Sequence, residues 1–281
     1  MDITADDVTV VIDGRPVVDP AHLTCRAGAV TALVGPSGSG KTTLLNCLGL
    51  LRVPTRGHVL VDGTDTSGWR SAQRRQFWRD HAAFVLQDAG VMDEESVGFN
   101  VTMRSTILGN RTRGDRPRLL AALHATGLEG RDPEPAAHLS GGEKQRLAVA
   151  RAIYKDAQVI YVDEPTASLD DSNRHAVIDL FTALARSGCT VVVATHDAAV
   201  IAAADARYEL YLKPCRDPSD HGRTGAPPHI PAPTPPRRPT GESRRTSSPT
   251  QPGRPSAPAV SATTLGGHII GGPPEGQRGT P

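Results

Sequence analysis

The sequence predicts an α/β fold built on a parallel sheet, and three observations carry that prediction. Between residues 8 and 212, short apolar and β-branched runs alternate with longer runs of helical composition. That is the pattern of strands joined by crossover helices covering both faces of a sheet. One such run, Val30–Val34, feeds directly into a glycine-rich turn and then into a segment with one apolar face. From Pro214 the character changes: 16 of the 24 prolines fall in the last 68 residues, mixed with Gly, Ser, Thr and Arg. A segment of that composition buries too little apolar surface to offset its ordering entropy. The expected organisation is one folded domain over residues 1–213 and a disordered tail over residues 214–281.

Val8–Ile12 reads as a strand, closed by the turn Asp13–Pro16. After Val30–Val34 and its glycine-rich turn, Thr43–Leu48 begins a helix that ends near Leu51, ahead of Pro54. His58–Val61 is a short strand stopped by Asp62-Gly63, Ser71–His81 a polar helix, and Ala83–Leu86 a buried strand running into Gln87. Residues 96–127 read as helical pieces broken at Gly109, Gly114 and Pro117. Gly142–Tyr154 is a cleaner helix, with Leu147, Ala150, Ala152 and Ile153 on one face. Val159–Val162 is a strand, Asp171–Arg186 a helix capped by Asp170 or Asp171, and Thr190–Ala194 a strand. Ala198–Ala204 and Arg207–Leu212 supply a last short helix and strand.

The formal net charge of +1 divides into −3 over residues 1–213 and +4 over the tail, so the folded part offers no basic nucleic-acid surface. Cys25, Cys47, Cys189 and Cys215 are widely spaced, which fits reduced thiols and neither a metal site nor a disulfide framework. The acidic N-terminus does not read as a signal peptide, and the longest late apolar run, from Val191, is broken by His196 and Asp197. A soluble protein is expected, with any membrane role exercised through a partner.

The turn after Val34 is Gly35-Pro36-Ser37-Gly38-Ser39-Gly40-Lys41-Thr42. It matches the phosphate-binding pattern G-x-x-x-x-G-K-[ST] at every fixed position and sits at the strand-to-helix turn the pattern requires. Its glycines let backbone N–H groups converge at a helix N-terminus, where negative charge is favoured. Lys41 can reach the terminal phosphates and the Thr42 hydroxyl can ligate magnesium. A nucleoside triphosphate is the expected ligand, held by Gly35 to Thr42 together with Thr43.

Four further signals follow. Asp163-Glu164 ends a strand: Asp163 is suited to hold magnesium, and Glu164, facing the other way, to activate a water for attack on the γ-phosphate. By itself the Asp163-Glu164 pair is an ordinary acidic strand end. Leu139-Ser140-Gly141-Gly142-Glu143 opens the clean helix with Ser140 as N-cap, a second anion-binding helix start with no nucleotide of its own. His196 follows a strand and can sense a γ-phosphate, and Gln87 ends another strand; each is commonplace in isolation.

Taken together and in this order, with Ser168-Leu169-Asp170 between the acids and His196, these residues resemble the ATP-binding subunit of ABC transporters over about residues 5–213. The resemblance implies a P-loop NTPase fold: a RecA-like parallel sheet core, a small antiparallel β subdomain and a helical signature subdomain. It implies ATP and Mg2+, with Asp163, Thr42 and Gln87 at the metal, Glu164 as general base and His196 as switch histidine. Ser140, Gly141 and Gly142 would close over the ATP held by a second copy in a head-to-tail dimer. Ser168-Leu169-Asp170 would cross that dimer, and Gln87 would also touch the membrane partner. Leu48–Gly57, Phe84–Asp88 and Val91–Val97 resemble the lipoprotein-release, macrolide and bacteriocin export type, which works beneath a separate permease at the cytoplasmic face of the membrane.

Two departures stand out. Where the family places an aromatic ring under adenine, this chain has Val11 or Ile12, so stacking is lost. Glu143 takes the place of the commoner Gln. The alternative reading is a soluble ABC-type ATPase acting on nucleic acid or ribosomes, disfavoured by the single cassette and the lack of heptads. A P-loop kinase would lack Leu139–Glu143.

Overall fold

A computed structural model describes residues 1–103, 114–167 and 169–211. Its elements are strands β1 (Ile3–Ile12), β2 (Arg15–Cys25) and β3 (Val30–Val34), helix α1 (Lys41–Leu48), strands β4 (Arg56–Val61) and β5 (Thr64–Asp65), helix α2 (Ser71–Asp80) and strand β6 (Ala82–Val85). There follow helices α3 (Val97–Thr102), α4 (Arg116–Ala125) and α5 (Gly141–Lys155), strand β7 (Val159–Asp163), helix α6 (Asp171–Arg186), strand β8 (Thr190–Thr195), helix α7 (Ala198–Ala203) and strand β9 (Ala206–Glu209). No helix among the described residues is long and apolar enough to cross a membrane. The expected tail, residues 214–281, with Cys215, lies outside the described residues, as does Ser168.

Two sheets form. The first is antiparallel in the order β2-β1-β4-β5, and the second is wholly parallel in the order β6-β7-β8-β3-β9. The expected turn at Asp13 is a two-residue hairpin: Asp13 (φ 49°) and Gly14 (φ 74°) both take left-handed backbone, which matches the twist of paired strands. The chain does not leave the sheet there, however. It returns as β2, whose Pro16 and Pro20 are tolerated because β2 is an edge strand with no neighbour on its outer side among the described residues.

In the parallel sheet, successive side chains divide between two cores. Val159 and Tyr161 of β7 join Val192 and Ala194 of β8 and Leu33 of β3 on the face covered by α1 and the antiparallel sheet. Ile160 and Val162 join Val191 and Val193 on the other face, against Ala148 and Val149 of α5 and Val177 and Phe181 of α6. Each large apolar side chain buried this way contributes about 1.5–3 kcal/mol. A third core joins α3, α4 and α5 through Val97, Val101, Leu119, Leu123, Leu128 and Leu147.

The C-terminal end of α1 is held tightly. The Tyr161 hydroxyl, fully buried, donates to the Leu48 carbonyl at 2.8 Å, and the Trp78 indole N–H donates to the Gly49 carbonyl at 2.8 Å. These satisfy carbonyls that a helix end leaves without partners. Phe84 stacks on Tyr161 with centroids 5.2 Å apart, and a Cβ at Gly49 would lie 2.7 Å from the Phe84 ring. Only glycine allows that approach. Cys25, Cys47 and Cys189 are buried free thiols, and burial pushes Cys25 and Cys189 up to about 12.

Candidate functional site

The phosphate loop joins β3 to α1. Gly40 is the N-cap of α1 with φ 92°, and no side chain caps the helix. A Cβ at Gly40 would lie 2.6 Å from the Val17 carbonyl, so β2 presses on the loop where it turns into the helix. At the other end of the loop, a Cβ at Gly35 would collide with the Leu210 carbonyl. Pro36, Ser37 and Gly38 are exposed, Ser39 is buried beneath them, Thr42 is exposed and Thr43 half-buried. Lys41 is only 6 % exposed; its ammonium donates to the carbonyls of Gly35 at 2.9 Å and Pro36 at 3.2 Å.

Both acids at the end of β7 reach this loop. The Thr42 hydroxyl donates to Asp163 Oδ1 at 3.0 Å, and Lys41 Nζ lies 3.2 Å from Glu164 Oε1. Strand alternation predicted that Glu164 faces away from Asp163; the structure corrects this. β7 ends at Asp163, and Glu164 has φ 44°, left-handed backbone held by its N–H donating to the Ala194 carbonyl at 2.9 Å. Such backbone is unfavourable by about 1–3 kcal/mol in a non-glycine residue. It swings the second carboxylate from the α5–α6 face to the loop. Burial pushes the Asp163 carboxyl up; the Thr42 hydroxyl opposes this, Glu164 reinforces it and Lys41 opposes it, with a net rise.

His196 lies one residue beyond β8, exposed, with Nδ1 2.9 Å from Glu164 Oε2. Lys41, Glu164 and His196 thus form a chain of contacts from three distant segments. Gln87 is exposed beyond the end of β6 and lines an open cleft with Leu86, Asp88 and Asp163. Its backbone is fixed by a residue the sequence reading did not single out: the buried Gln145 of α5 donates to the carbonyls of Leu86 at 3.2 Å and Gln87 at 2.8 Å. A polar residue on the otherwise apolar face of α5 was the available signal.

Ser140, Gly141 and Gly142 do not join this cluster. No hydrogen bond or ion pair among the described residues links them to residues 35–43. Ser140 caps α5 as expected: its hydroxyl accepts from the Glu143 N–H at 3.3 Å, and Glu143 Oε2 accepts from the Ser140 N–H at 2.7 Å. Gly142 packs so closely on Asn173 of α6 that a Cβ would overlap it, whereas Gly141 faces open space. Asp170 caps α6, its carboxylate accepting from the Asn173 N–H at 2.8 Å, and Arg174 donates to the Leu169 carbonyl at 3.4 Å. At the expected adenine position, Val11 is 37 % exposed and Ile12 packs against the core.

Comparison with known proteins identifies the family and the fold. Residues 18–167 match the ABC transporter family. The chain is 34 % identical over 197 residues to the ABC transporter ATP-binding protein YtrE of Bacillus subtilis, covering 70 % of this chain and 85 % of that protein. It is 36 % identical over 183 residues to the macrolide export ATP-binding/permease protein MacB of Escherichia coli, covering 65 % of this chain but 28 % of that protein. This chain therefore spans under a third of MacB's length. Among solved structures, a dimeric ABC transporter cassette, MJ0796, superposes with a TM-score of 0.65 at 31 % identity, covering 74 % of this chain and 94 % of that one. The same cassette in a dimeric post-hydrolysis state with ADP and Pi gives 0.64 at 30 % identity, with the same coverage. The parallel core, the antiparallel sheet and the helical unit are those of an ABC ATPase, and nothing favours the nucleic-acid reading. This chain belongs to the ABC transporter family, as an ATP-binding cassette.

Proposed function

We propose that the chain is the ATP-hydrolysing subunit of an exporter, working as a head-to-tail homodimer beneath a separate permease at the cytoplasmic face of the membrane. The observation that carries the reading is the convergence of Lys41, Glu164 and His196, which puts a cation, a carboxylate and an imidazole at one phosphate loop. The backbone N–H groups from Gly38 to Thr43 and the Lys41 ammonium bind the β- and γ-phosphates. As Lys41 turns to the phosphates it releases Glu164, whose carboxylate then takes a proton from the water attacking in line. His196 touches both Glu164 and the γ-phosphate and keeps the two aligned.

The Thr42 hydroxyl and the half-buried Asp163 carboxylate, 3.0 Å apart, are hard oxygen donors that fit Mg2+, with Gln87 in reach through the shared cleft. When bound, the ion offsets the charge of the β- and γ-phosphates. Ser140 and Gly141 lie outside this cluster and are exposed at the helix start, as a surface completing the site of a second copy must be, while Gly142 is buried against Asn173. The cassette is taken as residues 1–213.

Glu164→Gln is the direct test. Hydrolysis is expected to fall about 100-fold or more while ATP still binds, and an ATP-dependent dimer should accumulate on size exclusion. A variant that turns over ATP at the parent rate would remove Glu164 from its role. Membrane coupling is tested by co-purification with a permease from detergent extracts, and a stable ribosome complex in its place would overturn it.

A further inference from the structure

We infer that Arg131 is a positioning residue for the start of α5: it holds Glu143 and offsets part of its charge, so that Ser140 keeps the geometry in which it meets the nucleotide of a second copy. The inference rests on the composite-site reading above. Arg131 uses its whole guanidinium fork. Nε and Nη2 pair with the two oxygens of Glu134 at 2.6 and 2.9 Å, and Nη1 donates to Glu143 Oε1. The other oxygen of Glu143 accepts from the Ser140 N–H at 2.7 Å. A continuous path therefore runs from Glu134 through Arg131 and Glu143 to the backbone of Ser140.

The path is rigid at its base. The loop carrying Arg131 is stitched to α3 and the residues just before it: Val97 N–H donates to the Glu134 carbonyl at 2.8 Å, Gly98 N–H to the Asp132 carbonyl at 2.9 Å and Ala136 N–H to the Glu95 carbonyl at 2.9 Å. The side chains of Arg131, Glu134 and Glu143 are between 25 % and 28 % exposed, sheltered enough that water screens the pairs only in part. Burial works to raise the Glu143 carboxyl, but the Ser140 N–H and hydroxyl and the Arg131 charge outweigh it and hold it below the usual range.

The need for such a partner follows from charge. A carboxylate in the first turn of a helix is favourable to the helix itself. It also repels a phosphate brought to the same helix start by another subunit. A Gln there would accept the Ser140 N–H without adding charge; a Glu does so only if a cation stands beside it. Arg131 supplies that cation; it shares its charge between Glu143 and Glu134, so it offsets the Glu143 charge in part, and the bidentate hold on Glu134 keeps it from swinging away.

The test is a double-mutant cycle in the full chain carrying Glu164→Gln, with ATP-dependent dimerisation measured by sedimentation and ADP affinity measured at protein concentrations where the chain is monomeric. Arg131→Ala is expected to raise the ATP concentration needed for half-dimerisation about tenfold, the scale of one charge-assisted hydrogen bond. Combined with Glu143→Gln, the same change should shift it less than about twofold, and ADP affinity should stay within about twofold throughout. Equal losses from Arg131→Ala in both backgrounds, or no loss in either, would overturn the inference, because a structural role through Glu134 cannot be rescued at Glu143. A parent that stays monomeric with ATP overturns the composite-site reading and this inference with it. If Arg131→Ala unfolds the chain, Arg131→Lys, which keeps the charge but loses the fork, runs the same cycle.

Discussion

Helices α1 and α5 both begin among glycines, yet their first turns are finished differently. α1 starts from Gly40 in left-handed backbone, with no capping side chain and no acid in its first turn, only Lys41. α5 starts from Ser140 in extended backbone, and a reciprocal bond with Glu143 closes its first turn. The first leaves helix N–H groups for something that is not protein and places a cation among them. The second satisfies its Glu143 N–H with its own Ser140 cap, adds a negative charge and offsets part of that charge with Arg131, which Glu134 shares. On the proposed reading the first would hold phosphate and the second would complete the site of another copy, and two such helix starts need not share a design.

The contrast is sharpest at the glycines. Gly40→Ala meets the Val17 carbonyl and must keep φ 92°. It should unfold the loop, with ATP binding lost and thermal stability reduced by about 3 kcal/mol or more, summing left-handed strain and backbone overlap. Gly141→Ala meets nothing within 4 Å. It should fold within about 0.5 kcal/mol of the parent in denaturant titrations, while ATP-driven dimerisation weakens. Equal stability losses at the two positions would erase the distinction between the helix starts.

A smaller effect is expected from Ser140→Ala. Loss of the cap should destabilise the chain by about 1 kcal/mol in denaturant titration and leave monomeric ADP affinity unchanged. A drop in that affinity would mean that α5 serves the same copy's nucleotide. The smallest effect is one of stability at Asp163. Its carboxyl titrates above its ordinary value in the fold, so the folded chain gains from its protonation. That gain is full below the unfolded value of about 3.9 and is lost as pH rises through the folded value. Asp163→Asn should therefore raise the melting temperature at pH 7, by about 2–4 °C for each kcal/mol relieved, and the difference should shrink below about pH 4. Hydrolysis would be lost at every pH. A variant that melts earlier at pH 7 would contradict the burial argument.

Much of this arrangement was legible beforehand where local chemistry and fold agree. The phosphate loop, the acids after Val162 and the helix Asp171–Arg186 lie where spacing and capping place them. The antiparallel sheet was legible only in part: Asp13–Pro16 reads as a turn, and only the edge position of β2 admits Pro16 and Pro20. The direction of Glu164 was misread because alternation assumes strand geometry, and the strand stops one residue earlier. Gln145 and Arg131 went unnoticed for another reason: their partners are the backbone of residues 86 and 87 and the side chains of Glu134 and Glu143, which spacing alone does not bring together.

Strand β7 touches α1 at both ends. Tyr161 reaches the last carbonyls of the helix and Asp163, two residues on and on the same face, reaches Thr42 in its first turn. The strand works as a caliper closed on a helix about 12 Å long. Because a slip of one residue would turn both jaws away together, the site's alignment is set by the pairing of β7 with β6 and β8. Substitutions that loosen that pairing should blunt hydrolysis without altering a single residue that meets ATP.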